Sequence, residues 1–290
     1  MQSIRSYIRN QNQAGHLLWL RKLWHFLRDY KKIPEKIGHL KYYLLEFPHY
    51  RISLKQMTPC PEKFAAGYKK RTVTIITAYN RDYKVLGDMA ASQIRKYCAR
   101  YNFGSVIFET ENLSPRPYPW ITAATLYYTL SFLTNSDPEA WVVWIDADAV
   151  IVNLDFNLLT EIIQKASPKT EIFFTKDFNG VNTGVALLKN TRFVKKMLEK
   201  TWSLRRYVDH PWWWQRAVID LIDRDWRGIR GRIQFVPQHI LNAYTHVLYG
   251  TTFPEGELTP DSFIYHIPGQ PLSVRIKQAK RVLSARASSL

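Results

Sequence analysis

The sequence predicts an α/β domain on a mainly parallel central sheet, preceded by a helical N-terminal extension. Three observations carry this. From Thr72 onward, β-branched apolar runs alternate with stretches of helical period, the pattern of strands joined by crossover helices. The runs are apolar almost throughout, as strands covered on both faces are. Ahead of them the periodicity is helical, and a Pro-rich basic stretch separates the two regions.

Taken in order, 16–32, "HLLWLRKLWHFLRDYKK", sets Leu17, Leu20, Leu23, Trp24 and Leu27 at helical spacing among basic residues. Such a helix either lies in a membrane interface or packs on the main domain. "EKIGHLKYYLLEF" repeats the helical pattern after Pro34, and "TPCPEKFAAGYKKR" reads as a linker. "TVTIITAYN" is a buried strand opening into a loop, "KVLGDMAASQIRKYCARYN" a helix, "SVIFET" a strand, "WITAATLYYTLSFLTN" a helix and "AWVVWIDADAVIVN" a third strand. Next come the strands "EIFFTKD" and "VNTGVALLKN", the helices "TRFVKKMLEKTWSL" and "HPWWWQRAVIDLI", and the short strands "IQFVP" and "SFIYHI". In an open α/β sheet ligands sit beyond the carboxyl ends of the strands, where "TAYN" and "DAD" both fall.

Charge is uneven. Residues 1–70 carry 14 Lys/Arg against 4 Asp/Glu, and 270–290 carry 5 Lys/Arg and no acid, so the stretch between is nearly neutral within a total of +17. A nucleic-acid enzyme lines its groove with positive charge, whereas basic flanks suit docking on an anionic surface, so no nucleic-acid partner is expected. Cys60 and Cys98 are too few and too far apart for a disulfide framework or a Cys-rich zinc site. With no secretory signal and no apolar run of about 18 residues, the expectation is a cytoplasmic protein, docked peripherally on the inner face of the membrane through its basic ends.

The motif that asks for explanation is Asp146 and Asp148 inside "WVVWIDADAVIVN". Burying an unpaired carboxylate costs several kcal/mol or more, so a positive partner should meet them. In an extended strand, residues i and i+2 point to one side and can address one object. At a strand end that object is a hard divalent cation such as Mg²⁺ or Mn²⁺. Two enzyme classes place D-x-D after an apolar strand. Haloacid-dehalogenase-type phosphatases use D-x-D-x-[TV], which "DADAV" fits, but their motif opens the domain and a later strand brings a further acidic pair. Here the later acids, in "VIDLIDRD", sit on a helical pattern. Metal-dependent nucleotide-sugar glycosyltransferases use the pair to hold a cation against a diphosphate, whose departure develops negative charge.

"PYPWITAATLYYTLSFLTNSDPEAWVVWIDADAVIVN" resembles the core of the galactosyl/xylosyl-transferase family of fungal α-galactosyl- and mannosyltransferases and plant xyloglucan xylosyltransferases. "TIITAYN", "NTGVALLKN", "HPWWWQRAVIDLI", "QFVPQHILNAY" and "FIYHIPGQ" follow the family's order, from about Thr72 to Gln270. The resemblance implies a GT-A fold in 71–270, between a basic helical extension (1–70) and a basic C-terminal tail (271–290). It also implies retaining transfer of a hexose or pentose from a nucleotide diphosphate sugar, UDP-sugar favoured, to a glycan or glycolipid acceptor. On the matching positions, Thr77, Ala78, Tyr79 and Asn80 would cradle the nucleoside, and Asp146 would lie near ribose and metal. Asp148 would bind Mn²⁺ or Mg²⁺ directly with His266 as a third ligand, Asn182 would face the sugar, Gly184 would let backbone approach closely, and Gln215 and Gln270 would serve catalysis and donor binding. The family commonly carries an acid where this chain has Trp214, and a Lys where it has Thr122. The missing carboxylate would then come from Asp209 or Asp177, and Trp212, Trp213 and Trp214 would form either a sugar platform or core. These departures also admit a catalytically impaired binding subunit.

Overall fold

The structure, a computed structural model, describes residues 71–109, 116–133, 139–244 and 254–287. The extension expected over 1–70, with its two helices and linker, lies outside the described residues.

Strand β1 (Val73–Tyr79) is buried at every position, and so is β3 (Trp141–Ile145), which explains why both read as unbroken apolar runs. They pair in parallel, and β2 (Gly104–Glu109) adds to the far side of β1, also in parallel. Helix α1 (Lys84–Tyr101) returns the chain from β1 to β2. Its buried face runs Leu86, Ala90, Ile94, Tyr97 and Cys98, close to helical period, and it stops at Asn102 in the left-handed conformation. Asn tolerates that geometry better than most residues, and its N–H satisfies the Cys98 carbonyl. Helix α2 (Ile121–Leu133) is buried at every position from Ile121 to Leu130, so it runs through the interior and not along the surface.

Strand β5 (Ile172–Asp177) and strand β6 (Gly180–Lys189) form a hairpin closed at Gly180, whose φ of +99° suits glycine alone. β6 is therefore antiparallel to both neighbours, β5 and β3, while β7 (Ile233–Val236) joins β5 in parallel. The six-stranded order is β2-β1-β3-β6-β5-β7, a mixed sheet in which parallel pairings predominate. Helix α3 (Arg192–Ser203), capped by the Thr191 hydroxyl, and helix α4 (Trp213–Asp223) follow β6.

One expected strand is two. "AWVVWIDADAVIVN" does not stay extended: it leaves the sheet after Ile145 and turns, with the Ala149 N–H on the Asp146 carbonyl at 2.9 Å. It resumes as β4 (Ala149–Ile151), which pairs with β8 (Ile264–His266) in a separate antiparallel ribbon. Asp146 and Asp148 therefore do not share a strand face; the turn presents them. The physical reason is partner choice, since β4 gives up the main sheet for the β8 ribbon.

The stretch expected as a basic tail from 271 contains helix α6 (Leu272–Ala287), the short α5 (Gln238–Leu241) preceding β8. Leu272, Ile276, Ala279 and Leu283 of α6 pack with Leu86, Ala90, Val150, Val152, Tyr265 and Ile267, making a second apolar cluster over the ribbon and α1. Ala279 is fully buried and the other three partly, so each contributes less than a fully buried large aliphatic side chain, worth about 1.5–3 kcal/mol, but together they fix the helix in place.

Candidate active site

Three parts of the fold converge at the carboxyl end of β3. The Asp146 N–H donates to the Gly184 carbonyl at 2.8 Å, one step past the last β3–β6 pair, Ile145 with Val185. The register of the ribbon sets Ala149 opposite His266, so the imidazole stands beside the turn that carries Asp148. His266 Nε2 is 3.3 Å from Asp148 Oδ1. One ligand atom from each of Asp146, Asp148 and His266 falls within 4.8 Å of the others, and among the described residues this is the one such group of three.

Neighbouring side chains hold Asp146 and His266 from behind. The Trp144 indole N–H donates to Asp146 Oδ1 at 2.6 Å. The segment after α5 runs beside β8, with the His266 N–H on the Ala243 carbonyl at 2.9 Å, and so brings Asn242 against the imidazole. Asn242 Oδ1 lies 2.5 Å from His266 Nδ1. An amide oxygen only accepts, so Nδ1 carries a proton, and Nε2 is the ring nitrogen that faces Asp148. Gly184 makes the floor. A Cβ there would come within 2.4 Å of His266 Cε1 and 3.0 Å of Asp146 Oδ2, so close backbone approach requires glycine.

Burial and the Asp148 charge push the Asp146 carboxyl up to about 7. Burial also pushes Asp148 up, but His266 and Arg275 more than offset it and hold that carboxyl below the usual range. Burial pushes His266 down, and the Asp148 and Asp146 carboxylates raise it above the ordinary imidazole value. Arg275, on α6, is one of the residues that sequence reasoning missed, with Asn242 and Tyr244: its Nη1 donates to Asp148 Oδ2 at 2.5 Å. The positive partner demanded by a buried carboxylate is thus partly in the chain itself.

A second polar hub adjoins the first. Asp177, at the end of β5, accepts from the Asn182 amide at 2.8 Å, the Tyr244 hydroxyl at 2.9 Å and the Asn179 N–H at 2.6 Å. Tyr244 in turn accepts from the Asn242 amide at 3.0 Å, which joins the two hubs. Burial pushes the Asp177 carboxyl up, partly offset by these donors. Asn182 also accepts from the Gly184 N–H at 2.8 Å. Gln215 on α4 accepts from the Thr183 N–H and hydroxyl at 3.0 and 3.2 Å, pinning β6 between Asn182 and Gly184.

Other expected residues are placed differently. Residues 77–80 come out at the same end of the sheet as Asp146, beyond the Ile76–Trp144 pair. Thr77 and Ala78 are buried, and Asn80 caps a short turn through the Tyr83 N–H. Tyr79 is tied to α1: its hydroxyl donates to Asp88 at 2.6 Å and its ring lies against Gly87, where a Cβ would approach within 2.2 Å. The Gln270 carbonyl accepts from Arg275 Nε at 2.6 Å. Of the two replacement acids, Asp177 is buried in the hub, whereas Asp209 is exposed ahead of α4. Trp214 is buried, as is Thr122; Trp212 and Trp213 are half-buried. The acids of "VIDLIDRD" lie on and just after α4, where Asp220 pairs with Arg206 and Arg224, away from the Asp–His group.

The sheet order, the turn-borne Asp pair and the histidine from the late ribbon define a GT-A glycosyltransferase fold. A glycosyltransferase involved in glycosylation of the major capsid of PBCV-1 superposes with a TM-score of 0.57 at 17% identity, over 72% of this chain and 98% of that one. The galactosyl transferase GMA12/MNN10 family model matches residues 69–259, and the chain belongs to that family. Two Schizosaccharomyces pombe proteins are similar over 40% of this chain. One is an uncharacterized alpha-1,2-galactosyltransferase, 24% identical, and the other an alpha-1,2-galactosyltransferase, 20% identical. The chain spans 39% of the length of each.

Proposed function

We propose that the chain is a divalent-metal-dependent glycosyltransferase that moves a hexose or pentose from a nucleotide diphosphate sugar, UDP-sugar favoured, to a glycan or glycolipid acceptor with retention. The observation that carries this reading is the Asp146–Asp148–His266 group over a glycine floor at the carboxyl end of β3.

The donor set suits Mn²⁺ or Mg²⁺. Two carboxylates and an imidazole offer hard oxygens and one borderline nitrogen. Ligands at about 2.1 Å on neighbouring vertices of an octahedron stand about 3 Å apart, close to the 3.3 Å between His266 Nε2 and Asp148 Oδ1. When bound, such an ion acts as a Lewis acid toward the diphosphate. The remaining work falls to the chain. Asn242 fixes Nδ1 of His266 as a donor so that Nε2 is the nitrogen turned toward Asp148 and an ion, Trp144 holds one oxygen of Asp146, and Gly184 leaves room above the floor. In the transfer, the bond from the anomeric carbon to the diphosphate breaks with its electron pair left on the diphosphate oxygen, and the acceptor oxygen bonds that carbon as its proton passes to the departing diphosphate. Asp177 supports the positive charge that develops on the sugar, oriented by Asn182 and Tyr244. A buried carboxylate there takes the part of the acid that Trp214 replaces, and this favours an enzyme over a binding-only subunit.

The test is a panel of UDP- and GDP-sugars with Mn²⁺ and with chelator, followed by slow donor hydrolysis and thermal shift. Metal-dependent hydrolysis of at least one donor is expected. Binding without hydrolysis of any donor would favour the binding-only reading, and release of inorganic phosphate from simple phosphoesters would favour a phosphatase.

The location proposed is cytoplasmic, with the basic ends on an anionic leaflet, where each Lys or Arg near the surface is worth about 1 kcal/mol. Lys277, Lys280 and Arg281 are exposed on α6, opposite its packed stripe. Among the described residues no helix is long and apolar enough to cross a membrane. Sedimentation with vesicles should show a preference for anionic lipid that deletion of 1–35 weakens; equal partition onto neutral vesicles counts against it.

A further inference from the structure

We infer that Arg275 is a diphosphate-binding residue, whose guanidinium donates to Asp148 and grips phosphate oxygens when donor enters. This rests on the glycosyltransferase reading above and deepens it.

Position comes first. Arg275 is the fourth residue of α6, and a cation so near a helix N-terminus opposes the helix dipole, so helix stability does not account for it. The helix is fixed by Leu272, Ile276, Ala279 and Leu283 in the apolar cluster, and by Gln278, which accepts from the Tyr265 hydroxyl at 2.9 Å. The guanidinium has two supports besides Asp148. Its Nε donates to the Gln270 carbonyl at 2.6 Å, and its Nη1 reaches the Tyr83 hydroxyl at 3.3 Å. Those contacts keep it in place when Asp148 turns to another cation. Among the described residues Nη2 donates no hydrogen bond, and the side chain keeps 15% of its surface exposed.

Chemistry comes second. A guanidinium presents a planar fork of donors that fits two oxygens of a carboxylate or of a phosphate equally well. A divalent ion on Asp148 would satisfy that carboxylate and draw diphosphate oxygens to the same spot. The guanidinium then exchanges the one Asp148 oxygen on Nη1 for phosphate oxygens, with Nη2 available to complete the fork, without moving its stem. Two cationic groups at the leaving diphosphate would suit the charge that develops as the sugar departs.

A bland alternative is an ion pair that only fastens α6 to the ribbon. Titration calorimetry on the full chain separates the two, using Mn²⁺ alone and then UDP or GDP in saturating Mn²⁺. Uridine or guanosine binding, followed by ligand-observed NMR, reports the nucleoside contact separately. Arg275→Gln should weaken nucleoside diphosphate binding about tenfold or more. It should leave nucleoside binding unchanged, and Mn²⁺ affinity unchanged or tighter because Asp148 loses a competitor. Arg275→Lys should fall between, keeping charge but losing the fork. Unaltered diphosphate affinity in Arg275→Gln would overturn the inference while the glycosyltransferase reading stands. Equal loss for diphosphate and nucleoside, or loss of Mn²⁺ binding, would make the residue structural. If the wild-type chain binds neither UDP nor GDP with Mn²⁺, the functional reading fails and this role falls with it.

Discussion

Two buried carboxylate sites adjoin each other in this molecule, and they are satisfied by opposite means. Asp177 accepts from three neutral donors, the Asn179 N–H, the Asn182 amide and the Tyr244 hydroxyl. Asp148 is met by charge, from Arg275 and from an imidazole that Asp148 itself raises. Neutral donors fix a carboxylate in one pose at modest cost. Charged partners around a close pair of acids mark a place where a stronger cation can compete. The comparison separates a site built for orientation from a site built for exchange.

Substitutions sharpen that contrast. The largest effect expected is from Asp148→Asn, which keeps the shape but removes the charge: donor hydrolysis should fall by about a thousandfold, on the scale of several kcal/mol of lost Lewis-acid stabilisation, with the thermal midpoint nearly unchanged. Unchanged hydrolysis would break the assignment of this hub to the metal.

Next is Trp214→Glu, which restores the acid common in the family at a position that is core in this chain. The buried ring is lost and a carboxylate is buried without a partner, so stability should drop by about 3–5 kcal/mol, read from denaturant unfolding, with no gain in activity. A gain would mean that Asp177 does not fill the role assigned to it.

Gly184→Ala should cost about 1–3 kcal/mol of stability from the clash with His266, and weaken Mn²⁺ binding about 10- to 100-fold through the displaced imidazole. The smallest effect on the metal is expected from Tyr244→Phe. Removing that hydroxyl should cost about 1–3 kcal/mol and lower hydrolysis, while Mn²⁺ affinity stays within about twofold, because Tyr244 serves the neutral hub. Loss of Mn²⁺ binding there would show that the two hubs act as one.

The first half of the fold was legible because its strands are apolar on both faces, as in "TVTIITAY" and "WVVWI", and α1 closes at an Asn that can turn left-handed. The break after Ile145 was not, because "AVIV" is as apolar as what precedes it; only the choice of β8 as partner sets it apart. The reversal at β6 left a trace in "FNG", a hairpin signal at 178–180 between the two consecutive strands "EIFFTKD" and "VNTGVALLKN". In α6 the basic residues drew attention from a stripe of Leu272, Ile276, Ala279 and Leu283, four positions at helical spacing that announced a packed helix. Motif order singles out Asp146, Asp148, His266, Asn182 and Gly184, and the fold brings them together. It does not single out Arg275, Asn242 and Tyr244, since their roles depend on which side chains tertiary packing sets against them.

The central claim is that one divalent ion and a donor diphosphate meet at the turn after β3. A crystal grown with Mn²⁺ and UDP, measured at the manganese absorption edge, tests it most directly. The account predicts an anomalous peak bonded to Asp148 and His266, with Asp146 beside it and phosphate oxygens on its open side. Nucleotide bound at the sheet end with no manganese peak among those three side chains would contradict it.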